Sequence, residues 1–205
     1  MNMTEEQIFF DSKGLKIEGL LENLNEEKAV VVTHPHPLYG GEMHNNVVEA
    51  ITQAYREHGY STLRFNFRGV GRSEGSYDDG KGEQEDVRAA LKFLSGQGVS
   101  SFDLAGYSFG AWVNALSIEK LAQAKRMVMV SPPVNFVSFD FLKYDPKIQL
   151  VIVGTRDDIA GYKTIEKLMQ EWNPEATLRL IEGADHFYWG YTEELKAIIG
   201  EFLDK

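Results

Sequence analysis

The stretch DLAGYSFGA at residues 103–111 holds a G-x-S-x-G pattern between a strand-like run and a helix-like one. A nucleophilic serine must lie on a tight strand-to-helix turn that directs its hydroxyl out of the sheet. The residues two before and two after it then face neighbouring backbone, where a Cβ would clash, and here both are glycine, Gly106 and Gly110. The spacing therefore predicts that Ser108 is a nucleophile. Because so short a pattern also arises by chance, the alternative is a strand that ends in a glycine turn.

The flanking sequence predicts the elements on either side of this turn. Residues 101–105 form a short buried strand, and the apolar residues at 111, 115, 118 and 122 predict a helix of about three turns. Further apolar runs predict strands at 29–32, 62–65, 127–130, 150–153 and 178–181. Helical stripes lie at 47–55, 87–94, 165–172 and 195–202, and turn residues at 11–14 predict an opening β-hairpin.

Strands that alternate with helices predict one α/β domain over residues 1–205, with a mostly parallel sheet flanked by helices and the hairpin at one edge. The irregular segment 131–147 is too short for a cap domain, so we expect an open, shallow active site. Its aromatic residues pack in the core or line a pocket, and the sequence leaves both alternatives open. They are Phe136, Phe139, Phe141 and Tyr144.

The composition excludes several classes of partner and site. The chain has 205 residues, a formal net charge of −10 and no cluster of basic residues, so we expect neither a nucleic acid nor an anionic membrane as partner. It has no cysteine, and therefore no disulfide, thiol nucleophile or thiolate metal site. No secretion signal or membrane-spanning run is recognisable, which predicts a cytoplasmic protein that acts on a small molecule. The sequence does not determine the oligomeric state, and both a monomer and a dimer stay open.

A serine nucleophile needs a base, almost always histidine, and an acid that orients this histidine. Of the five histidines, His58 lies at a helix end and His44 at the start of a helix, where structural or surface roles suffice. His186 follows the last strand, and Asp157 and Asp158 follow the strand at 150–153. The carboxyl ends of parallel strands meet at one edge of the sheet, where ligands bind. The order serine, aspartate, histidine along the chain is typical of one hydrolase architecture.

Four motifs carry a resemblance to the α/β-hydrolase fold that covers essentially the whole chain: GYSFG at 106–110, GTRD at 154–157, GADHF at 183–187 and HPHP at 34–37. The runs HPHPLYGG at 34–41 and NFRGVGRS at 66–73 resemble a group of small, lidless bacterial hydrolases, similar to dienelactone-hydrolase-like and cutinase-like esterases. This chain has serine where the dienelactone hydrolases have a cysteine nucleophile, which puts that substrate in doubt.

The resemblance implies a triad of Ser108, Asp157 and His186, because it places the acid three residues after the strand-ending glycine. Asp158 is the alternative that the residues leave open, and Asp185 is interpreted as a turn former.

An oxyanion hole needs two backbone N–H groups, one of them from the residue after the nucleophile, Phe109. In the loop after the third strand Pro35 and Pro37 have no N–H, so either His36 or Leu38 must donate the other. The resemblance favours His36.

Each of the remaining motifs has more than one possible role. His34, His36 and His44 could form a metal site, but no acidic residue is interleaved at a zinc-like spacing. The glycines at 69, 71 and 75 do not fit a nucleotide-binding motif and predict a loop at the rim of the active site. Residues 187–189, Phe-Tyr-Trp, either shape an apolar acyl pocket or anchor the last helix.

Together these observations predict a serine hydrolase that transfers acyl groups from small esters or thioesters to water and needs neither a cofactor nor a metal. A peptidase uses the same triad, and a binding or signalling module can keep the fold without turnover.

Overall fold

The computed structural model describes residues 5–23 and 27–205, and the following elements are those of this part of the chain. The strands are β1 (Glu6–Ser12), β2 (Leu15–Glu22), β3 (Lys28–Thr33), β4 (Ser61–Phe65), β5 (Ser101–Tyr107), β6 (Ala124–Val130), β7 (Ile148–Gly154) and β8 (Thr177–Ile181). The α-helices are α1 (Asn46–Glu57), α2 (Lys81–Gly96), α3 (Phe109–Ser117), α4 (Tyr162–Trp172) and α5 (Thr192–Leu203).

All of these strands belong to one sheet, in the order β1-β2-β4-β3-β5-β6-β7-β8. The opening hairpin places β1 at the edge of the sheet, and its second strand, β2, pairs antiparallel with β4. The pairs from β4 through β3 to β8 are parallel. The predicted α/β sheet with an antiparallel edge is therefore confirmed. β5, which carries the Ser108 turn at its carboxyl end, lies between β3 and β6.

Helices cover both faces of the sheet, as a continuous apolar strand such as β3 requires. Val30 and Val32 pack in one core with residues of α1 and α5. Val31 points to the opposite face and packs in a second core with residues of α2, α3 and α4. The two cores hold the strand ends, and with them the loops that follow, in fixed positions.

The predicted helix after Ser108 is shorter than its apolar spacing suggests. α3 ends at Ser117, and a 3₁₀ turn at Ile118–Lys120 follows it. The Ser117 hydroxyl donates to the Val113 carbonyl at 3.0 Å, a side-chain bond that competes with regular helix geometry. Ile118 and Leu121 are nevertheless buried, so the apolar period continues although the α-helix does not.

No helix or strand lies within residues 131–147, so the prediction that the fold has no cap domain is confirmed. The aromatic residues of this segment have different environments. Phe139 is buried against Trp172, with ring centroids 5.1 Å apart, and belongs to the core. Phe136 is 72% exposed and Tyr144 is also exposed, so neither fills the interior. No helix in the described residues is long and apolar enough to cross a bilayer.

Candidate active site

Ser108 lies on the sharp turn between β5 and α3, with φ 54° and ψ −119°. A non-glycine residue adopts this conformation only at an energetic cost, which the surrounding structure must offset. A Cβ built on Gly106 would be 2.6 Å from the Ala111 nitrogen, and one built on Gly110 would be 2.5 Å from the Thr33 carbonyl oxygen. Both glycines are thus required by close backbone approach, as the sequence predicted.

Three side chains, from the carboxyl ends of β5, β7 and β8, meet at this turn. The Ser108 Oγ lies 2.9 Å from Nε2 of His186. Nδ1 of the same imidazole lies 3.0 Å from Oδ1 and 2.9 Å from Oδ2 of Asp157. All three residues are buried, with 6%, 8% and 4% of their surface exposed for Ser108, His186 and Asp157. With the proton on Nδ1, facing the carboxylate, the Nε2 lone pair faces the serine hydroxyl.

The Asp157 carboxylate is held by donors other than histidine. Its Oδ1 accepts the backbone N–H groups of Ile159 and Ala160 at 2.9 and 2.8 Å, and its Oδ2 accepts the Ser131 hydroxyl at 2.6 Å. Burial alone would raise the pKa of Asp157, but the hydrogen bond and charge of His186, with the Ser131 and Ala160 hydrogen bonds, lower it overall. The carboxylate therefore stays ionised and oriented towards the imidazole.

The two neighbouring aspartates are placed differently. Asp158 is exposed, and its backbone carbonyl accepts the side-chain amide of Asn135 at 2.9 Å. The Asp185 carboxylate accepts the backbone N–H of Phe187 at 2.9 Å, the contact of a turn-forming residue. Of the alternatives for the acid, it is Asp157 that the fold brings to His186.

The two candidate oxyanion donors in the loop after β3, the backbone N–H groups of Leu38 and His36, differ in their hydrogen bonds. The Leu38 N–H donates to Nδ1 of the His36 ring at 3.2 Å, so it is already occupied. Within residues 5–23 and 27–205, the backbone N–H groups of His36 and Phe109 have no hydrogen-bond acceptor. The His36 ring packs 4.9 Å from the Phe109 ring and, through Nε2, contacts the Tyr77 hydroxyl at 3.2 Å.

His34 has a structural position rather than one at the site. Its Nε2 accepts the backbone N–H of Phe67 at 3.0 Å, while Nδ1 lies 2.6 Å from the Pro35 carbonyl oxygen and donates to it. Burial lowers the pKa of His34 to about 4 despite the Pro35 hydrogen bond. Both ring nitrogens are used within the fold, so neither has a lone pair for a metal. In the described part of the chain no three His, Cys, Asp or Glu residues form a group that could hold one.

The NFRGVGRS motif at 66–73 also has a structural role. The Asn66 amide donates to Oε2 of the buried Glu18 at 3.0 Å, and the same oxygen accepts the Arg72 N–H at 2.8 Å. Gly71 has φ 57°, and a Cβ on it would be 2.4 Å from the side-chain nitrogen of Asn66, Nδ2. Hydrogen bonds to β2 thus hold the loop that follows β4.

Apolar side chains stand exposed on the loops that follow β3, β6 and β8. Of the run 187–189, Phe187 and Trp189 are exposed, whereas Tyr188 is fully buried in the core with residues of α1 and α5. Of the two alternatives for this run, the anchoring of the last helix therefore fits Tyr188. The exposed residues are Leu38, Tyr39, Phe136, Phe141, Tyr144, Phe187 and Trp189.

Three residues near the site make contacts that the sequence did not predict. Ser131 bonds Asp157, Tyr188 lies 2.7 Å from the Ser131 hydroxyl, and Tyr107 donates its hydroxyl to the His186 carbonyl at 2.5 Å. The available signal was position: Ser131 directly follows β6, at the sheet edge where the other strand ends carry the site.

Comparison with known proteins agrees with this architecture. Over 209 residues the chain is 34% identical to an uncharacterised protein of Rickettsia prowazekii (strain Madrid E). The matched region covers 96% of this chain and 88% of the relative. The solved structure of an α/β serine hydrolase homologue from Coxiella burnetii matches with a TM-score of 0.90, 30% identity and 99% coverage of both chains. A serine hydrolase without lid from Xanthomonas campestris matches with a TM-score of 0.90 and 27% identity, over 100% of this chain and 95% of that one. No protein-family model matches.

The sheet order, the strand-to-helix turn at Ser108 and the missing cap define the class of lidless α/β hydrolases. The chain therefore belongs to the α/β serine hydrolase family, as the resemblance in its motifs predicted.

Proposed function

We propose that this chain hydrolyses small ester or thioester substrates through an acyl-enzyme, with Ser108 as nucleophile, His186 as general base and then acid, and Asp157 as the residue that orients the imidazole. The observation that carries the proposal is the continuous hydrogen-bonded path from the Ser108 hydroxyl through His186 to Asp157. A buried path of this kind has a clear chemical use, because it removes the serine proton as the hydroxyl attacks.

In the first half-reaction, Nε2 of His186 takes the Ser108 proton while Oγ attacks the acyl carbonyl. The resulting oxyanion is stabilised by the backbone N–H groups of Phe109 and His36, both free of other acceptors in the part of the chain that the structure describes. The imidazolium then protonates the departing alcohol or thiol. In the second half-reaction His186 activates a water, which releases the acid and restores Ser108.

The reaction needs no cofactor or metal in this proposal, since the nucleophile, the base and the oxyanion donors all come from the chain. The partner is a small acyl substrate. An open site without a cap suits substrates whose leaving group extends into solvent.

The test is active-site labelling combined with turnover. The purified protein and its Ser108→Ala variant are treated with a fluorophosphonate and assayed with p-nitrophenyl acetate, an acetyl thioester and a peptide anilide. Ser95→Ala, a change at an exposed serine in the last turn of α2, is the matched control. We expect a single label on Ser108, ester or thioester turnover in the wild type and the control, and a loss in kcat of about 10⁶-fold in Ser108→Ala.

Other outcomes would contradict the proposal in distinct ways. Labelling of Ser108 with turnover of the anilide alone would identify a peptidase. Absence of both labelling and turnover would favour a binding or signalling module on this fold. Wild-type turnover in Ser108→Ala would refute Ser108 as the nucleophile.

A further inference from the structure

The hydrogen-bonded path from Ser108 does not end at Asp157. The Ser131 hydroxyl donates to Oδ2 of Asp157 at 2.6 Å, and the Tyr188 hydroxyl lies 2.7 Å from the Ser131 Oγ. Because the single Ser131 proton faces the carboxylate, the Tyr188 hydroxyl must be the donor in the second contact. The path therefore runs in one direction, from the Tyr188 hydroxyl to the carboxylate that holds His186.

Backbone conformation marks the same residues. Five non-glycine residues in the described ranges have positive φ, and three of them are Ser108 (54°), Ser131 (45°) and Tyr188 (55°). The other two, Lys13 and Asp79, lie in exposed turns. Strained backbone persists only where contacts with the surrounding structure hold it in place, and such residues cluster at functional sites. Three buried strained residues joined by one set of side-chain hydrogen bonds therefore form a unit.

Burial makes these hydroxyls significant. Ser131 and Tyr188 are fully buried, and the Ser131 N–H is fixed to the Ile152 carbonyl on β7 at 2.8 Å. A buried carboxylate that loses one of its donors is left partly unsatisfied and can rotate away from the imidazole. The Ile159 and Ala160 N–H groups hold Oδ1, so it is Oδ2 that depends on Ser131.

We infer that Ser131 and Tyr188 are positioning residues of the hydrolytic reaction: Ser131 fixes the Asp157 carboxylate against His186, and Tyr188 orients the Ser131 hydroxyl. The inference rests on the proposed function. Neither residue touches the substrate, so their contribution is to kcat rather than to substrate binding. The Tyr188 hydroxyl reaches the Asp157 carboxylate through Ser131.

The test uses variants that separate the hydroxyl from the backbone. Ser131→Gly removes the hydroxyl but suits φ 45°, whereas Ser131→Ala removes the hydroxyl and keeps the strain. Tyr188→Phe removes only the phenolic oxygen. We expect kcat for p-nitrophenyl acetate to fall about 10- to 100-fold in both Ser131 variants and about 3- to 10-fold in Tyr188→Phe, with unchanged KM.

Two further readouts distinguish positioning from a merely structural role. The rate of fluorophosphonate labelling at Ser108 should fall in parallel with kcat. The downfield proton resonance of the His186 Nδ1–H, bonded to Asp157, should shift or broaden in Ser131→Gly even where its melting temperature matches the wild type. The double variant Ser131→Gly/Tyr188→Phe should have the kcat of Ser131→Gly alone, because the two residues act in series.

Wild-type kcat and labelling rate in Ser131→Gly would overturn the inference, as would full additivity in the double variant. These failures are separable from a failure of the proposed function. If Ser108→Ala is inactive and unlabelled while Ser131→Gly behaves as the wild type, only the positioning role is refuted. If Ser108→Ala keeps activity, the proposed function fails first.

Discussion

Gly110 rests on the end of β3: a Cβ built on it would stand 2.5 Å from the carbonyl oxygen of Thr33 and 2.6 Å from the Thr33 hydroxyl. The first turn of α3 therefore sits directly on a central strand. Gly110→Ala should lower the free energy of unfolding by about 3 kcal/mol, because neither backbone can yield without disturbing the core. Denaturant unfolding measures the loss, and ester turnover should fall with it because the Ser108 turn must shift.

Gly96→Ala provides the matched control, since a Cβ there meets no atom within 4 Å and the residue ends α2 in a helical conformation. This change should leave stability unchanged or raise it by about 0.5 kcal/mol. If the two variants had the same free energy of unfolding, the close approach of Gly110 to Thr33 would not be what excludes a side chain at this position.

The assignment of Asp157 as the acid of the triad can be tested by substituting Asp157 and its neighbour Asp158, which have different surroundings. Asp157→Asn should depress kcat by about 10⁴-fold, because an amide in this position no longer selects the His186 tautomer with its Nε2 lone pair towards Ser108. Asp158→Asn, a change on an exposed side chain, should have little effect. The measurement is kcat for an activated ester, with circular dichroism to verify the fold. A larger loss in Asp158→Asn would move the role to that residue.

The choice between these aspartates illustrates how far the sequence reaches. The strand ends could be predicted, because runs such as 29–32 are apolar on both faces and only a covered parallel sheet buries them so. The proximity of Ser108, Asp157 and His186 could also be predicted, because each follows a parallel strand and the carboxyl ends of these strands meet at one edge of the sheet. Residue spacing alone did not separate Asp157 from Asp158, since both lie in the same turn.

Other features depend on contacts that spacing does not encode. Ser131 and Tyr188 are 57 residues apart, and their hydrogen bond joins two loops whose conformations, both with positive φ, carry no glycine signal. The end of α3 at Ser117 was missed because a 3₁₀ turn keeps Ile118 and Leu121 inward and so preserves the apolar period.

The His36 ring should support the oxyanion loop rather than take part in proton transfer. Its Nδ1 accepts the Leu38 N–H, and its Nε2 faces the Tyr77 hydroxyl. Burial lowers the pKa of His36, which favours the neutral ring that this arrangement requires. His36→Ala removes both contacts and should lower kcat about 10-fold with little change in KM, since the backbone donor stays but is less well placed.

The exposed His44, on the same connection before α1, gives the control. His44→Ala should keep the wild-type kcat, and Tyr77→Phe, which removes one contact only, should lie between the two. A wild-type kcat in His36→Ala would mean that the loop holds its conformation without the ring.

His34 should make stability depend on pH. Its pKa in the folded protein is about 4, below its ordinary value of 6.5, because burial disfavours the charged form of the ring. The unfolded chain therefore binds an extra proton between these values. The stabilisation is fully present above about pH 6.5 and is lost as the pH falls towards 4, by about 3 kcal/mol.

Denaturant unfolding at a series of pH values measures this effect. His34→Gln keeps an acceptor for the Phe67 N–H but does not titrate, so it should be less stable at neutral pH and should lack this component of the decline. Parallel declines in wild type and variant across that range would assign the loss to other groups.

Substrate length is the last prediction, and it follows from the uncapped edge of the sheet. The segment 131–147 forms no cap, and Phe136, Phe187 and Trp189 stand 72%, 57% and 74% exposed rather than enclosing a channel. Each buried CH₂ of an acyl chain contributes about 0.8 kcal/mol, but an open surface keeps distal carbons in contact with water. The kcat/KM for p-nitrophenyl esters should therefore stop rising beyond short acyl chains.

The measurement compares acetyl to dodecanoyl esters of the same alcohol, below their aggregation limits. Phe136→Ala and Trp189→Ala should change kcat/KM by less than about threefold for the acetyl ester, because exposed side chains lose little buried area on truncation. A steady increase through the dodecanoyl ester, abolished by either substitution, would instead mean that the exposed aromatic side chains close over a long acyl chain when it binds.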